Sequence, residues 1–324
     1  MIAVMNLFAP VEQDLATLSE NLQQLVGAKH PILGLAAERL FGAGGKRIRP
    51  AIVFLVARAT MQEQEITARH RRLAEITEMI HTASLVHDDV VDEAETRRGI
   101  DTVHSVFGNQ IAVLAGDFLF AQSSWYLANL DNLTVVKLLS EVIKDFAEGE
   151  IQQGLNRFDT ELTIDSYLQK SYYKTASLIA NSSKAAAILT DEHDVATAQQ
   201  MYHYGNHLGL AFQVVDDIFD FTASPEVLGK PTGSDLSSGN LTAPTLFAME
   251  EKPYLRQLIE RQFSQEGDLE EALAIVHGSQ GIERSRELAS YHSQQAVASL
   301  RELPASEAKD SLLALTDYVL SRMY

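Results

Sequence analysis

The chain has 324 residues, 46% of them hydrophobic and 7% aromatic, so it can fill a sizeable core and global disorder is excluded. A formal net charge of -18 excludes nonspecific binding to nucleic acid or anionic lipid, so any anionic substrate must be held by local cations or by metal. The absence of cysteine excludes disulfides and thiolate metal sites. No apolar run reaches the roughly 20 residues of a membrane-spanning helix. The first residues lack the basic and apolar regions of a secretory signal, so a cytoplasmic protein is expected.

Almost every segment has a helical period. Leu15, Leu18, Leu22 and Leu25 form the first stripe. Gly44-Gly45-Lys46-Arg47-Ile48-Arg49-Pro50 then opens a helix predicted over residues 51–59. A glycine turn with several cations at a helix N-terminus suits an anion, although a plain helix start with surface charges has the same pattern. Leu73, Ile76, Ile80 and Leu85 form the next stripe, which runs into Asp88-Asp89-Val90-Val91-Asp92. His81, Ser84, Asp88 and Asp92 step along one face of it. Arg97-Arg98-Gly99 follows, and arginines there could grip phosphate oxygens in bidentate fashion.

Leu138, Val142, Phe146 and Ile151 continue the pattern, and a helix over 167–189 carries Lys174-Thr175. Leu208, Phe212 and Val215 lead into a second cluster, Asp216-Asp217-Ile218-Phe219-Asp220, with Gln213 on the same face. Gly205 and Gly209 precede it at helical spacing and would permit close helix packing. The loop Gly229-Lys230-Pro231-Thr232-Gly233-Ser234-Asp235 comes next, and Lys230 there could reach a leaving phosphate. The prolines fall mostly at junctions, no strand series alternates convincingly, and no linker divides the chain. One all-α domain over residues 1–324 is expected, a large helical bundle.

The two D-D-x-x-D clusters carry the chemistry. An isolated one is usually a solvated acidic helix end. Two such faces opposed across a cavity would repel unless cations lay between them, and Mg²⁺ takes carboxylate oxygens and bridges to phosphates. Glu78-x-x-His81 has the spacing of a di-iron ligand pair, but no other histidine has a glutamate three residues before it. His81 therefore reads as a phosphate ligand.

Together these motifs resemble the trans-polyprenyl diphosphate synthase family, from about residue 35 onward. The resemblance implies the isoprenoid synthase fold with a central substrate cavity. It implies that Lys46, Arg49, His81 and Arg98 bind isopentenyl diphosphate. Asp88, Asp89 and Asp92 match the family's first aspartate-rich motif, and Arg97 its contact with the allylic diphosphate. Lys174, Thr175 and Gln213 match positions around that substrate. Asp216, Asp217 and Asp220 match the second motif, and Lys230 the lysine after it. Roughly three Mg²⁺ ions would be held by the six aspartates. One departure is Gly239-Asn240-Leu241-Thr242, where the family often has a second lysine at the place of Asn240. Cyanobacterial and plastid solanesyl-type synthases share this run, so Asn240 marks a subfamily.

The implied reaction ionises the allylic diphosphate and adds the double bond of isopentenyl diphosphate to the allylic cation. The released diphosphate takes the proton. Ala83 and Ser84, just before the first motif, are small, which leaves a product tunnel open and implies a long product of solanesyl type for a quinone side chain. Simple helix packing would suit their size equally well. A class I terpene cyclase is disfavoured by the second D-D-x-x-D. A geranylgeranyl diphosphate synthase and a non-catalytic subunit of a heteromeric prenyltransferase remain as alternatives. The resemblance also implies a homodimer with an interface near the first aspartate helix, no nucleic-acid partner, and transient membrane contact when the long product leaves.

Overall fold

A computed structural model describes residues 7–25, 34–36, 41, 46–61, 65–97, 99–223 and 232–322. They are helical almost throughout, as expected. In chain order the helices are α1 (Glu12–Leu25), α2 (Ile48–Thr60), α3 (Ala68–Val91), α4 (Val103–Phe107), α5 (Asn109–Ala128), α6 (Leu133–Leu155), α7 (Ile164–Ser171) and α8 (Ser177–Thr190). Then come α9 (Val195–Thr222), α10 (Ser234–Ser237), α11 (Ala243–Glu251), α12 (Tyr254–Glu260), α13 (Asp268–His277), α14 (Gly281–Ser299) and α15 (Glu307–Ser321). A two-residue hairpin pairs β1 (Thr96–Arg97) with β2 (Ile100–Asp101), and Gly99 takes the positive φ of its turn. Packing divides the chain into two compact units. One comprises Met1–Ile143, Leu178–Tyr202 and Glu302–Leu313; the other comprises Lys144–Ser177, His203–Arg301 and Ala314–Tyr324.

In the first unit α3 is the spine, packed against α1, α2 and α5. The predicted stripe is its buried face: Leu73, Ile76 and Ile80 are fully buried, while Leu85 is half-buried. Thr67 caps the helix, its hydroxyl accepting from the backbone N–H of His70 at 3.4 Å. Leu18 and Leu22 of α1 are buried as well. The buried Asp14 in the first turn of α1 accepts from Arg58 of α2 at 2.8 Å and has Arg71 of α3 at 3.4 Å. One carboxylate thus ties three helices together and also complements the dipole of α1.

Two expectations need correction here. Helix α2 starts at Ile48, not at 51, because Pro50 sits in its first turn, where the missing N–H would have no helical partner anyway. Helix α5, in turn, is long and apolar enough to cross a membrane by length and composition, contrary to the sequence reading. It packs Ala112, Ala115, Gly116 and Leu119 inward and leaves Val113, Leu114 and Trp125 exposed.

In the second unit, His207 on α9 and His292 on α14 meet Nδ1 to Nδ1 at 2.9 Å, so at least one ring is neutral. Burial, and then the charge of His207, push His292 down to about 4. A depressed histidine excludes protons that the unfolded chain would take up, so stability falls as pH drops from about 6.5 towards 4. Wild-type melting should therefore lose on the order of 2 kcal/mol across that window. Chemical denaturation of His292→Leu should show that slope flattened; an unchanged slope would assign the acid lability elsewhere.

Candidate active site

Three groups of predicted residues lie in the described structure. The first surrounds the start of α2. Arg47 holds the N-cap with a left-handed φ of 48°, an unusual backbone for a non-glycine residue. Its guanidinium is locked by an ion pair to the buried Glu78 of α3 and by donation to the Phe41 carbonyl at 3.0 Å. Glu78 thus works as an anchor, which explains its place one turn before His81. Arg49 Nη1 donates to His81 Nε2 at 2.9 Å, which requires that nitrogen to carry no proton. Lys46 is exposed just outside. Lys46 and Arg49 therefore stand at the N-terminal end of α2, whose dipole favours an anion, while Arg47 is turned to Glu78. Gly44, Gly45 and Arg98 lie outside the described residues.

The second group closes α3. Asp88 and Asp89 fall in its last turn, and Asp92 is the C-cap. Carboxylates at a helix C-terminus oppose the dipole, each at a cost of about 0.3–1 kcal/mol, and no basic residue occupies that turn. Asp89 is buried, and Arg97 Nε and Nη2 both reach its Oδ1 at 2.7 Å. The hairpin is what brings Arg97 back to the helix end. Asp88 is half-buried and Asp92 exposed, so both are reachable from solvent. One turn earlier Ala83 is fully buried, and the Ser84 hydroxyl turns back to the His81 carbonyl at 2.9 Å.

The third group is in the second unit. Asp216, Asp217 and Asp220 likewise sit in the C-terminal turns of a helix, α9. Asp216 is reached by Arg322 at 2.9 Å, whose guanidinium also lies 5.0 Å above the rings of Phe212 and Phe219. Asp217 is buried and accepts from the Tyr167 hydroxyl at 2.5 Å and from Gln213 Nε2 at 2.8 Å. Burial, and then the neighbouring charge of Asp235, raise it to about 7. Asp220 is 1% exposed and caps the next helix, accepting from Ser234 Oγ at 2.8 Å and from the Asp235 N–H at 3.0 Å. Lys230 lies outside the described residues.

Lys174 and Thr175 are not in regular α-helix as predicted but in a π turn, Tyr172–Ala176, where the Ser177 N–H bonds the Tyr172 carbonyl five residues back. Gly209 of α9 is what admits this turn, since a Cβ there would come within 2.5 Å of the Ala176 Cα. From the turn, Thr175 donates to Gln213 Oε1 at 2.6 Å, so Thr175, Gln213 and Asp217 form one chain of hydrogen bonds. Lys174 pairs with Glu150 at 3.0 Å and donates to Gln153 at 3.2 Å. Lys174, Gln153, Gln213 and Asp217 line a cavity of about 110 Å³ together with Lys170, Asp235, Asn240 and Thr242. Lys170, which the sequence reading did not single out, is buried there with its ammonium 2.5 Å from Asn240 Oδ1. Its spacing from Tyr167 and Lys174 on one helical face was the available signal.

Among the described residues no three His, Asp or Glu side chains are gathered tightly enough to hold a metal ion unaided. The donor set nonetheless suits Mg²⁺, which keeps waters and commonly binds one or two carboxylates plus substrate phosphates. Asp88 and Asp92 offer carboxylate oxygens at a helix end whose dipole favours a cation, and the carboxylate of Asp216 is half-exposed on α9.

Residues 30–276 match the family model described as Polyprenyl synthetase. A prenyl transferase of Synechocystis sp. is 67% identical, with 100% of each chain covered. Solanesyl diphosphate synthase 1, chloroplastic, of Arabidopsis thaliana is 59% identical over 89% of this chain and 71% of that protein. Among solved structures, the polyprenyl synthase of Caulobacter crescentus complexed with calcium and isoprenyl diphosphate superposes with a TM-score of 0.90 at 33% identity, covering 99% of this chain and 98% of that one.

Proposed function

The chain belongs to the polyprenyl synthetase family and is a long-chain trans-prenyltransferase, and from that premise we propose that it condenses isopentenyl diphosphate with farnesyl or geranylgeranyl diphosphate to build solanesyl diphosphate for a quinone side chain such as that of plastoquinone. The observation that carries the reading is the pair of aspartate triads, each closing the C-terminal end of a helix where bound cations relieve the dipole. The similarity to the chloroplast solanesyl enzyme supports the product length. The family match runs through both packing units, which supports treating residues 1–324 as one functional domain.

The surface of Lys46, Arg49 and His81, with Arg98, holds the diphosphate of isopentenyl diphosphate, and Arg47 stiffens it through Glu78. Arg97, Lys174 and Lys230 bind oxygens of the allylic diphosphate, with Thr175 and Gln213 at the same substrate. Mg²⁺ held by Asp88, Asp89 and Asp92 and by Asp216, Asp217 and Asp220 would add Lewis-acid neutralisation of the departing diphosphate. The allylic C–O bond breaks with its electron pair leaving on diphosphate, whose charge the preorganised cations stabilise. Holding the second diphosphate in place supplies the proximity for C–C bond formation. The proton then lost goes to the released diphosphate, so no protein base is required. The product grows past Ala83 and Ser84 in an apolar path that excludes water.

The apolar face of α5 supports a homodimer, since Val113, Leu114 and Trp125 are exposed on it. The protein is read as cytoplasmic, touching membrane only to release its product. Incubation with Mg²⁺, labelled isopentenyl diphosphate and either primer, followed by sizing, tests the reading. A ladder ending at solanesyl diphosphate is expected. A stop at geranylgeranyl diphosphate would move the tunnel floor, and no elongation would favour a non-catalytic subunit.

A further inference from the structure

We infer that Lys170 is a diphosphate-binding residue of this enzyme, oriented by Asn240, so that the cavity between α7, α9 and the start of α11 takes a phosphate group of the allylic substrate. This rests on the prenyltransferase reading above and adds a residue to it.

Lys170 is 7% exposed, and burying an ammonium without full hydrogen bonding is costly. An ammonium has three donors. Asn240 takes one at 2.5 Å, and among the described residues no further hydrogen-bond acceptor meets Lys170. Two donors are therefore left for a ligand. The cavity beside it, about 110 Å³, is well above the ~10–15 Å³ needed to admit a single water. Thr242 lines the same space. It is 1% exposed and stands at the N-cap of α11, yet its hydroxyl makes no cap bond and its Oγ1 has no partner. An N-cap threonine normally uses that oxygen on the helix's own N–H groups. Here a second buried polar atom at a helix N-terminus waits for a ligand, and the dipole of α11 favours a negative one.

The position of Asn240 is fixed independently of Lys170. Its N–H bonds the Asp235 carbonyl at 2.8 Å, and the Gly239 carbonyl before it accepts from the Phe158 N–H at 2.9 Å. Gly239 has a φ of 79°, and a Cβ there would strike the Phe158 ring at 2.5 Å. The turn is therefore rigid and presents the amide oxygen to Lys170. An amide suits this task, because it orients an ammonium without cancelling its charge. Lys174 lines the same cavity, so two cations face the bound group, while Asp217 and Asp235 on the wall bar a bare anion and favour one that arrives with metal.

The test compares wild type with Lys170→Met, Lys170→Arg and Asn240→Ala. The readouts are binding of inorganic diphosphate at fixed Mg²⁺ by calorimetry and KM for each substrate. Loss of one charge-assisted contact should weaken diphosphate binding and raise the allylic KM by about 10- to 100-fold in Lys170→Met. The KM for isopentenyl diphosphate should stay within about twofold, and Lys170→Arg should recover most of the loss. Asn240→Ala, which keeps the ammonium but frees it, should show a smaller shift of the same kind, and it also covers the case in which Lys170→Met does not fold. Unchanged diphosphate binding in a folded Lys170→Met or Asn240→Ala protein overturns the inference, as does an equal rise in both KM values. Wild-type elongation separates the two levels. If wild type elongates and the variants match it, only Lys170 is wrong; if wild type fails to elongate, the prenyltransferase reading itself falls.

Discussion

Asp88→Ala or Asp216→Ala is expected to abolish elongation in the presence of Mg²⁺, lowering turnover by at least about 1000-fold while the helices remain folded. Asp88 sits in the last turn of α3, where it opposes the dipole, and Asp216 lies about two turns from the end of α9. Their removal should not unfold the protein. The ion pair of Asp216 with Arg322 is partly open to solvent, and such pairs contribute about 0–1 kcal/mol. Asp88 is half-buried at a helix end. A residue whose deletion removes activity while the fold persists is acting on a ligand. The check is incorporation of labelled isopentenyl diphosphate alongside circular dichroism of each variant. Near-wild-type incorporation in either would sink the metal assignment for that triad.

Ala83→Phe is expected to shorten the product by several isoprene units without abolishing condensation. Ala83 is fully buried one turn before Asp88. A ring placed there has two possible fates. If the growing chain passes Ala83, the ring occupies lumen, costs little stability and blocks extension. If Ala83 only packs helix against helix, the ring overfills a dense core at a cost of typically about 1–3 kcal/mol and leaves the product unchanged. Product sizing and thermal melting on one preparation therefore decide the matter. Ser84→Phe is the companion variant, where the ring also displaces the hydroxyl that bonds the His81 carbonyl. A full-length product with a lowered melting temperature would remove both residues from the tunnel.

The sequence made some of this legible and hid the rest for physical reasons. Helical periodicity found the buried face of α3, because Leu73, Ile76 and Ile80 recur at the spacing that a single packed face imposes. Both aspartate clusters were visible because each is contiguous. The clamp on α2 was half visible. Glu78 raised the thought of a metal ligand from its spacing to His81, whereas its partner Arg47 is held by a left-handed backbone that no periodicity signals. The start of α2 was misplaced because Pro50 was read as a boundary and not as a first-turn residue. The π turn at Tyr172–Ala176 stayed hidden because its enabling residue, Gly209, lies on another helix. Asn240, read alone, looked like a missing cation; the ammonium beside it belongs to Lys170, 70 residues earlier in the chain. Pairings of that kind are set by packing and leave no local pattern.

The exposed face of α5 also carries Trp125, which is 61% exposed and is the chain's single tryptophan. All of the protein's indole fluorescence therefore originates from one ring on that face. Its emission should lie to the red while water covers α5 and move to the blue when another apolar surface does. Dilution, addition of lipid vesicles and addition of a long-chain product can each be followed at that one wavelength shift, with no label attached.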